Sequence, residues 1–297
     1  MNKKWVLALA LLCIVVFAAM LLVGEPDKSS KSAKSKGQVL QNARLTVKVL
    51  DIGQGDAILI KADGQTVLVD TGDVGTREKL VALLKKENLT TIDKVIITHP
   101  HADHLGGMPE VMENFKIGKI YDSGKTATTA LYKKYLTGVS KKKIPFEIAT
   151  PGSEIVVSKD IMLKILAPDK SLLKDTDTNE SSIVAKLVYG QFSMMLTGDA
   201  EKESEAIMVK KFGKELKSSV LKAAHHGSSS SSSPEFLKAV APEAVVISLA
   251  ANNDFHHPHP STMERYKKAN MKIFRTDTDG TVQITSDGKT YAVAKSK

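Results

Sequence analysis

Cysteine is almost absent from this chain. The one thiol, Cys13, lies in an apolar N-terminal run. No intrachain disulfide can form, and no thiolate metal site exists downstream. Any metal has to be held by His, Asp or Glu. Aromatic residues make up only 5%, and the single Trp stands at position 5, so the core is expected from Val, Ile, Leu and Ala. Histidine is unevenly spread, with none of the eight between His104 and His225. Acidic charge is in deficit, leaving a net +9. That balance favours a polyanionic partner such as DNA, teichoic acid or anionic lipid. A generally Lys-rich composition gives the same number, and part of the excess sits in the N-terminal region. No feature identifies a protein partner.

The N-terminus reads "MNKKWVLALALLCIVVFAAMLLVGEP". An uninterrupted apolar run from Trp5 to Val23, at about 1.5 Å per helical residue, nearly crosses a bilayer core. It exceeds the usual signal-peptide apolar region. Residues 1–24 are therefore expected to be an uncleaved signal anchor. Cleavage near Ala18–Ala19, or lipidation of Cys13, are the alternatives. Lys3 and Lys4 favour a cytoplasmic N-terminus, although Lys28, Lys31, Lys34 and Lys36 crowd the other side. The short N-tail points to a membrane-held body outside the cell, or a secreted one if cleaved. Residues 25–42, Ser/Lys-rich and aperiodic, read as a tether. Residues 43–297 read as the folded domain.

That domain opens with three short strands joined by Gly turns, "RLTVKVLDIGQGDAILIKADGQTVLVDTGD". An amphipathic helix "REKLVALLKKENL" and a buried strand "DKVIITH" follow. The second half repeats the rhythm: antiparallel β-structure, then strands "SVLKAAHH" and "AVVISLA" alternating with helices, then terminal strands. Two similar β-then-βα halves imply an α/β fold, a sandwich of two mixed sheets flanked by helices.

The densest chemistry is "THPHADHLGG". His99, His101, Asp103 and His104 fall within six residues directly after a buried strand. Imidazole and carboxylate converging from one turn suit Zn²⁺, Mn²⁺ or Fe²⁺. The run "HHGSSSSSSPEF" raises a different question. By composition, Ser228–Ser233 is a linker, and the middle serines Ser230 to Ser232 read as low complexity. Ser233, Pro234 and Glu235 nevertheless suit the N-cap and first turn of a helix.

The His-x-His-x-Asp-His pattern resembles the signature of the metallo-β-lactamase superfamily, and "VLVDTGD", "MMLTGD" and "KAAHHG" follow its other motifs in order. The resemblance implies metal ligands His99, His101, Asp103, His104, Asp199 and His225. His225 is preferred over His226 because it lies two residues before the Gly; His226 is left as a supporting or packed residue. Asp70 would support the His-bearing loop without binding metal. "DIGQGDAILI", "LTGD", "HHGS", "HPHPSTMERY" and "FRTDTDGTVQI" narrow the resemblance to the soluble domain of ComEC-type competence proteins, over nearly all of residues 43–295. The many-helix DNA channel of such proteins is not in this chain. A further His that most superfamily members place before the bridging Asp is also missing. Asn179 and Ser182 stand in that stretch instead. The resemblance therefore implies one firmly held divalent metal, Zn or Mn, and a second weak site.

The expected function is a metal-dependent phosphodiesterase, a nuclease acting on DNA outside the membrane through a metal-activated water. Asp103 would orient that water, and His259, with His257 beside it, would donate to a phosphate oxygen or leaving group. Ser228 would line the cleft at its rim. Two alternatives stand beside this. One is a hydrolase of small-molecule or cell-envelope esters and phosphoesters; the other is a DNA-binding subunit without catalysis.

Overall fold

Strict alternation shapes the first strand. β1 (Leu45–Val49) buries Leu45, Val47 and Val49 and leaves Thr46 and Lys48 half-buried, as expected of a strand with one face in a core. The computed structural model describes Leu40, residues 43–174 and residues 177–297. The expected signal anchor, and the tether apart from Leu40, lie outside the described residues. Among the described residues no helix is long and apolar enough to cross a membrane.

β1 pairs antiparallel with β2 (Ile58–Ala62), and β2 with β3 (Gln65–Val69). β3 then runs parallel to β4 (Thr91–Ile97), which is followed in the same sense by β5 (Lys116–Asp122) and β6 (Phe146–Ile148). The second sheet begins as an antiparallel meander of β7 (Glu154–Ser158), β8 (Ile161–Ala167), β9 (Val184–Tyr189) and β10 (Phe192–Leu196). It continues in parallel through β11 (Val220–Lys222), β12 (Ala244–Ile247) and β13 (Lys272–Arg275). The chain then returns to the first sheet. β14 (Val282–Ser286) pairs with β1 on one side and β15 (Tyr291–Lys295) on the other.

Each parallel connection needs a crossover, and helices supply most of them. α1 (Arg77–Lys86), α2 (Ala102–Leu105), α3 (Met108–Asn114) and α4 (Ala130–Lys142) accompany the first sheet; α5 (Lys202–Phe212), α6 (Pro234–Val240) and α7 (Pro260–Lys268) accompany the second. α8 (Thr276–Asp279) is a single turn between β13 and β14, where the sequence suggests only strands. Three apolar layers result. Val47, Ile60, Val67 and Ile96 meet Ile165, Leu187, Met194 and Val246 between the sheets. Leu80, Leu84, Val111 and Tyr135 cover Leu68 and Val95 on one outer face. Met208, Phe236, Val240 and Tyr266 cover Met195, Leu221 and Val245 on the other. This is the expected αββα sandwich. The halves are not self-contained layers, however, because the C-terminal hairpin completes the first sheet.

The strands "DKVIITH" and "SVLKAAHH" end earlier than their apolar runs suggest. β11 stops at Lys222, and residues Ala224–Gly227 form a tight turn in which His225 and His226 have φ values of 48° and 53°. Parallel strands β3, β4, β10, β11 and β12 thus release their loops at one end of the sandwich. That is where open α/β sheets place ligands.

Candidate metal centre

Four side chains converge at this end. Ligand-capable atoms of Asp103, His104, Asp199 and His226 all lie within 4.8 Å of one another. His104 comes from α2, the short helix after β4, Asp199 from the turn after β10 and His226 from the turn after β11. His104 Nε2 lies 3.2 Å from Asp199 Oδ1, and His226 Nε2 lies 3.2 Å from Asp103 Oδ2 and 3.6 Å from Asp199 Oδ2.

The opposite edge of each imidazole is fixed by a separate partner. His104 Nδ1 donates to Asp70 Oδ2 at 2.8 Å, and His226 Nδ1 donates to the Ser248 carbonyl at 2.9 Å. With Nδ1 held in this way, Nε2 is the nitrogen turned into the cluster, the orientation of a metal-ligating histidine. Asp70 is itself buried and held by the Thr98 amide and hydroxyl, each at 2.8 Å. His104 Nε2 and Asp199 Oδ1 are buried and make no hydrogen bond despite their proximity. Two buried polar atoms left facing each other are costly unless a third group takes both. A divalent cation is such a group, and the two-His, two-carboxylate donor set suits one.

Charge follows from this packing. Burial alone would drive His104 neutral, but Asp199, Asp70 and Asp103 outweigh it and raise its pKa well above the ordinary value. Burial likewise pushes Asp103 and Asp199 up, and His104 and His226 more than reverse it, holding both carboxylates ionised. His99 is different. Burial first, and then the neighbouring His104, push its pKa well down, so it stays neutral.

His99 Nε2 faces His101 Nδ1 at 3.1 Å. Ser182 Oγ lies 3.3 Å from His99 Nδ1 and accepts the Asp199 amide at 3.1 Å. His99 and His101 belong to no cluster of three acidic or imidazole ligands among the described residues. Asn179 donates to Glu201 Oε1 at 3.1 Å, beside His225.

Of the two adjacent histidines the resemblance favours His225, whereas the close group of four contains His226, carried there by the left-handed turn. His225 Nδ1 pairs with Glu201 at 2.8 Å, and its Nε2 stands 3.9 Å from Asp199 Oδ2. Gly227, with φ +84°, closes this turn, and a Cβ there would lie 2.7 Å from Pro258 Cβ.

The serine run is no low-complexity stretch. Ser228, Ser231 and Ser232 are buried. Ser228 meets the Ser230 hydroxyl at 2.8 Å. Ser231 donates to the Ala200 carbonyl, and the Ser232 hydroxyl meets Tyr266 at 2.7 Å. The buried Glu205 accepts the Ser232 and Ser233 amides, at 2.5 and 2.8 Å. Ser233 does cap α6, accepting the Phe236 amide at 3.3 Å.

The second histidine group sits beside the first. The His257 ring lies 5.4 Å from that of His225 and 6.2 Å from that of His226, and His259 meets it edge-on at 4.8 Å. His259 Nδ1 accepts the Ser229 amide at 2.8 Å.

The "GQGD" turn contributes in a way its composition conceals. Gly55 has φ +113°, and a Cβ there would lie 2.3 Å from the Asp103 carbonyl oxygen. The next amide, that of Asp56, donates to the same oxygen at 3.1 Å. Asp56 itself forms a fully buried ion pair with Lys222, at 2.7 Å. Asp56, Asp70 and His104 form a second close group, whose Asp56 member is the one paired with Lys222.

The metallo-beta-lactamase superfamily model matches residues 50–251. The chain is 30% identical over 255 residues to ComE operon protein 3 of Bacillus subtilis, and 30% identical over 239 residues to competence protein ComA of Neisseria gonorrhoeae. Each match covers 80% of this chain and 32% of the relative. The chain thus spans about a third of the length of these relatives. Among solved structures, the metallo-beta-lactamase fold protein YhfI of Bacillus subtilis aligns with a TM-score of 0.52 at 14% identity, over 78% of this chain and 95% of that one. With a His/Asp cluster able to bind metal at the expected end of the αββα sandwich, the chain belongs to the metallo-beta-lactamase superfamily of metal-dependent hydrolases.

Proposed function

We propose that this chain is a metal-dependent phosphodiesterase that cleaves DNA. One observation carries the reading: His104 and His226 turn their Nε2 atoms toward the Asp103 and Asp199 carboxylates, with each imidazole fixed from behind at Nδ1. These four residues would hold one divalent ion. His99 and His101, whose facing nitrogens are 3.1 Å apart, would hold a second ion weakly. A bound ion supplies Lewis acidity, lowering the pKa of water and stabilising charge on the phosphoryl group.

The remaining work falls to the chain. Asp103 is the most exposed carboxylate of the cluster, with a side chain 27% exposed. Its ionised oxygen, held toward His226, suits orienting an attacking water. His259 accepts at Nδ1 and so carries its proton on Nε2. A neutral imidazole of that tautomer suits donation to a phosphate oxygen better than protonation of a leaving group. His257 is held neutral, down to about 4, by burial and the neighbouring His225 and His226.

Net charge of +9 and the competence proteins among the relatives support DNA as substrate. The apolar run Trp5–Val23 behind two lysines supports a domain held at the outer face of the cell membrane. The test is incubation of the purified chain with single- and double-stranded DNA in Mn²⁺, Zn²⁺ or Mg²⁺. Cleavage that is lost in Asp103→Ala is the expected result. DNA binding without cleavage in any metal identifies a binding subunit instead. Turnover of small esters or phosphoesters alone moves the substrate to the other hydrolase class.

A further inference from the structure

Phe255 is the most exposed large apolar side chain among the described residues, at 60%. It does not hang from a loose loop. Asn253 clamps the turn that carries it, accepting the His257 amide at 2.9 Å and donating to the His257 carbonyl at 2.7 Å and the Ala250 carbonyl at 3.0 Å. The His256 amide closes the same turn onto the Asn253 carbonyl at 3.1 Å. The base of the turn is fixed across the sandwich, where the Ala250 amide donates to Gln54.

The ring is also oriented. Phe255 stacks on His257 at 5.7 Å with 23° between planes, and His257 stacks on His226 at 6.2 Å with 28°. Two successive stacked pairs thus lead from the candidate metal centre to Phe255, which is 60% exposed. Centroid spacings in this range are those of favourable aromatic stacking. A fixed, solvent-facing ring in line with a phosphodiesterase centre has the attributes of a platform for a planar base.

We propose that Phe255 stacks an unpaired nucleobase close to the cleaved phosphate, making this chain selective for single-stranded nucleic acid. The inference rests on the phosphodiesterase reading above. In a duplex both faces of each base are covered by neighbours, so the platform has nothing to receive. Stacking on an aromatic ring is worth about 1–3 kcal/mol per base and tolerates any sequence. Selectivity therefore acts on strandedness and leaves base identity unread.

The experiment compares the full chain with Phe255→Ala and Phe255→Trp. Fluorescence anisotropy measures affinity for an oligothymidylate, for an abasic oligonucleotide of equal length and for a duplex, in Mn²⁺ and again in chelator. The intact chain is expected to bind the oligothymidylate about tenfold tighter than the abasic strand, which is about 1.4 kcal/mol. Phe255→Ala is expected to bring that ratio close to one, and Phe255→Trp to restore it. A purely structural role would weaken both probes together and leave the ratio alone. A ratio near one in the intact chain, or an unchanged ratio in Phe255→Ala, overturns the proposal while the phosphodiesterase reading stands. Binding of no probe in either condition overturns both.

Discussion

His104 Nδ1 lies 2.8 Å from Asp70 Oδ2, with both side chains buried. Asp70 is the turn residue after β3, with φ 58°, and it reaches His104 and Thr98 on the neighbouring loop. One carboxylate thereby sets the position, the tautomer and the basicity of a candidate ligand. Asp70→Ala is expected to lower divalent-metal affinity by about 10–100-fold, measured by competition with a chelating dye. It also leaves the Thr98 amide without its partner, at a cost of about 1–3 kcal/mol in stability. Unchanged affinity would remove Asp70 from the metal centre.

The two adjacent histidines should separate cleanly. His226→Ala removes one of four converging donors, so tight metal binding should be lost, with stoichiometry by elemental analysis falling towards zero. His225→Ala removes a partner of Glu201 that sits 3.9 Å from Asp199. It should keep the tightly held ion and cost less than tenfold in affinity. The opposite ranking would mean that the left-handed turn reorganises when metal binds.

Much of this site was legible because its pieces are local. The His-rich loop follows an apolar strand, so "THPHADH" announces both a strand end and a ligand cluster. Asp70 and Asp199 gained meaning only through their order relative to that cluster. His226 enters the group of four through a single positive-φ turn, a backbone detail that the order of motifs does not carry. The serines escaped for a related reason. Their partners, Glu205, Tyr266 and Ala200, are remote in the chain, and composition carries no trace of a hydrogen bond. The return of β14 to pair with β1 is equally non-local, so the rhythm of two repeated halves concealed it.

Glu205 provides a pH test away from the cluster. Burial pushes its pKa from 4.5 up to about 7, and the amides and hydroxyls of the serine run offset only part of that. The unfolded chain releases this proton near 4.5, the folded chain near 7. Between those values the folded state holds more protons, so stability falls as pH rises. The contribution is fully present below about pH 4.5 and is lost by about pH 7, a change of roughly 3 kcal/mol. Glu205→Gln should lack it. Urea unfolding of both proteins across pH 4.5–7.5 should show the stability difference moving in favour of the variant. Parallel curves would rule out titration of Glu205.

The Lys222–Asp56 pair should be the costliest single contact to break. Both side chains are fully buried, their charged ends 2.7 Å apart, and Asp56 Oδ1 has no hydrogen-bond partner. Lys222→Ala would leave a buried carboxylate without its ion-pair partner, a loss of about 3–5 kcal/mol. Removing both charges should cost less than the sum of the single losses, because the second substitution relieves the unpaired group left by the first. A double-mutant cycle with Asp56→Ala measures this coupling. The consequence should extend to the metal centre, since the Asp56 amide donates to the Asp103 carbonyl. Lys222→Ala is therefore expected to weaken metal binding as well as folding, and Lys222→Ala/Asp56→Ala to regain part of both. Additive losses would show that the pair is two independent buried charges with no joint role in holding the Asp103 loop.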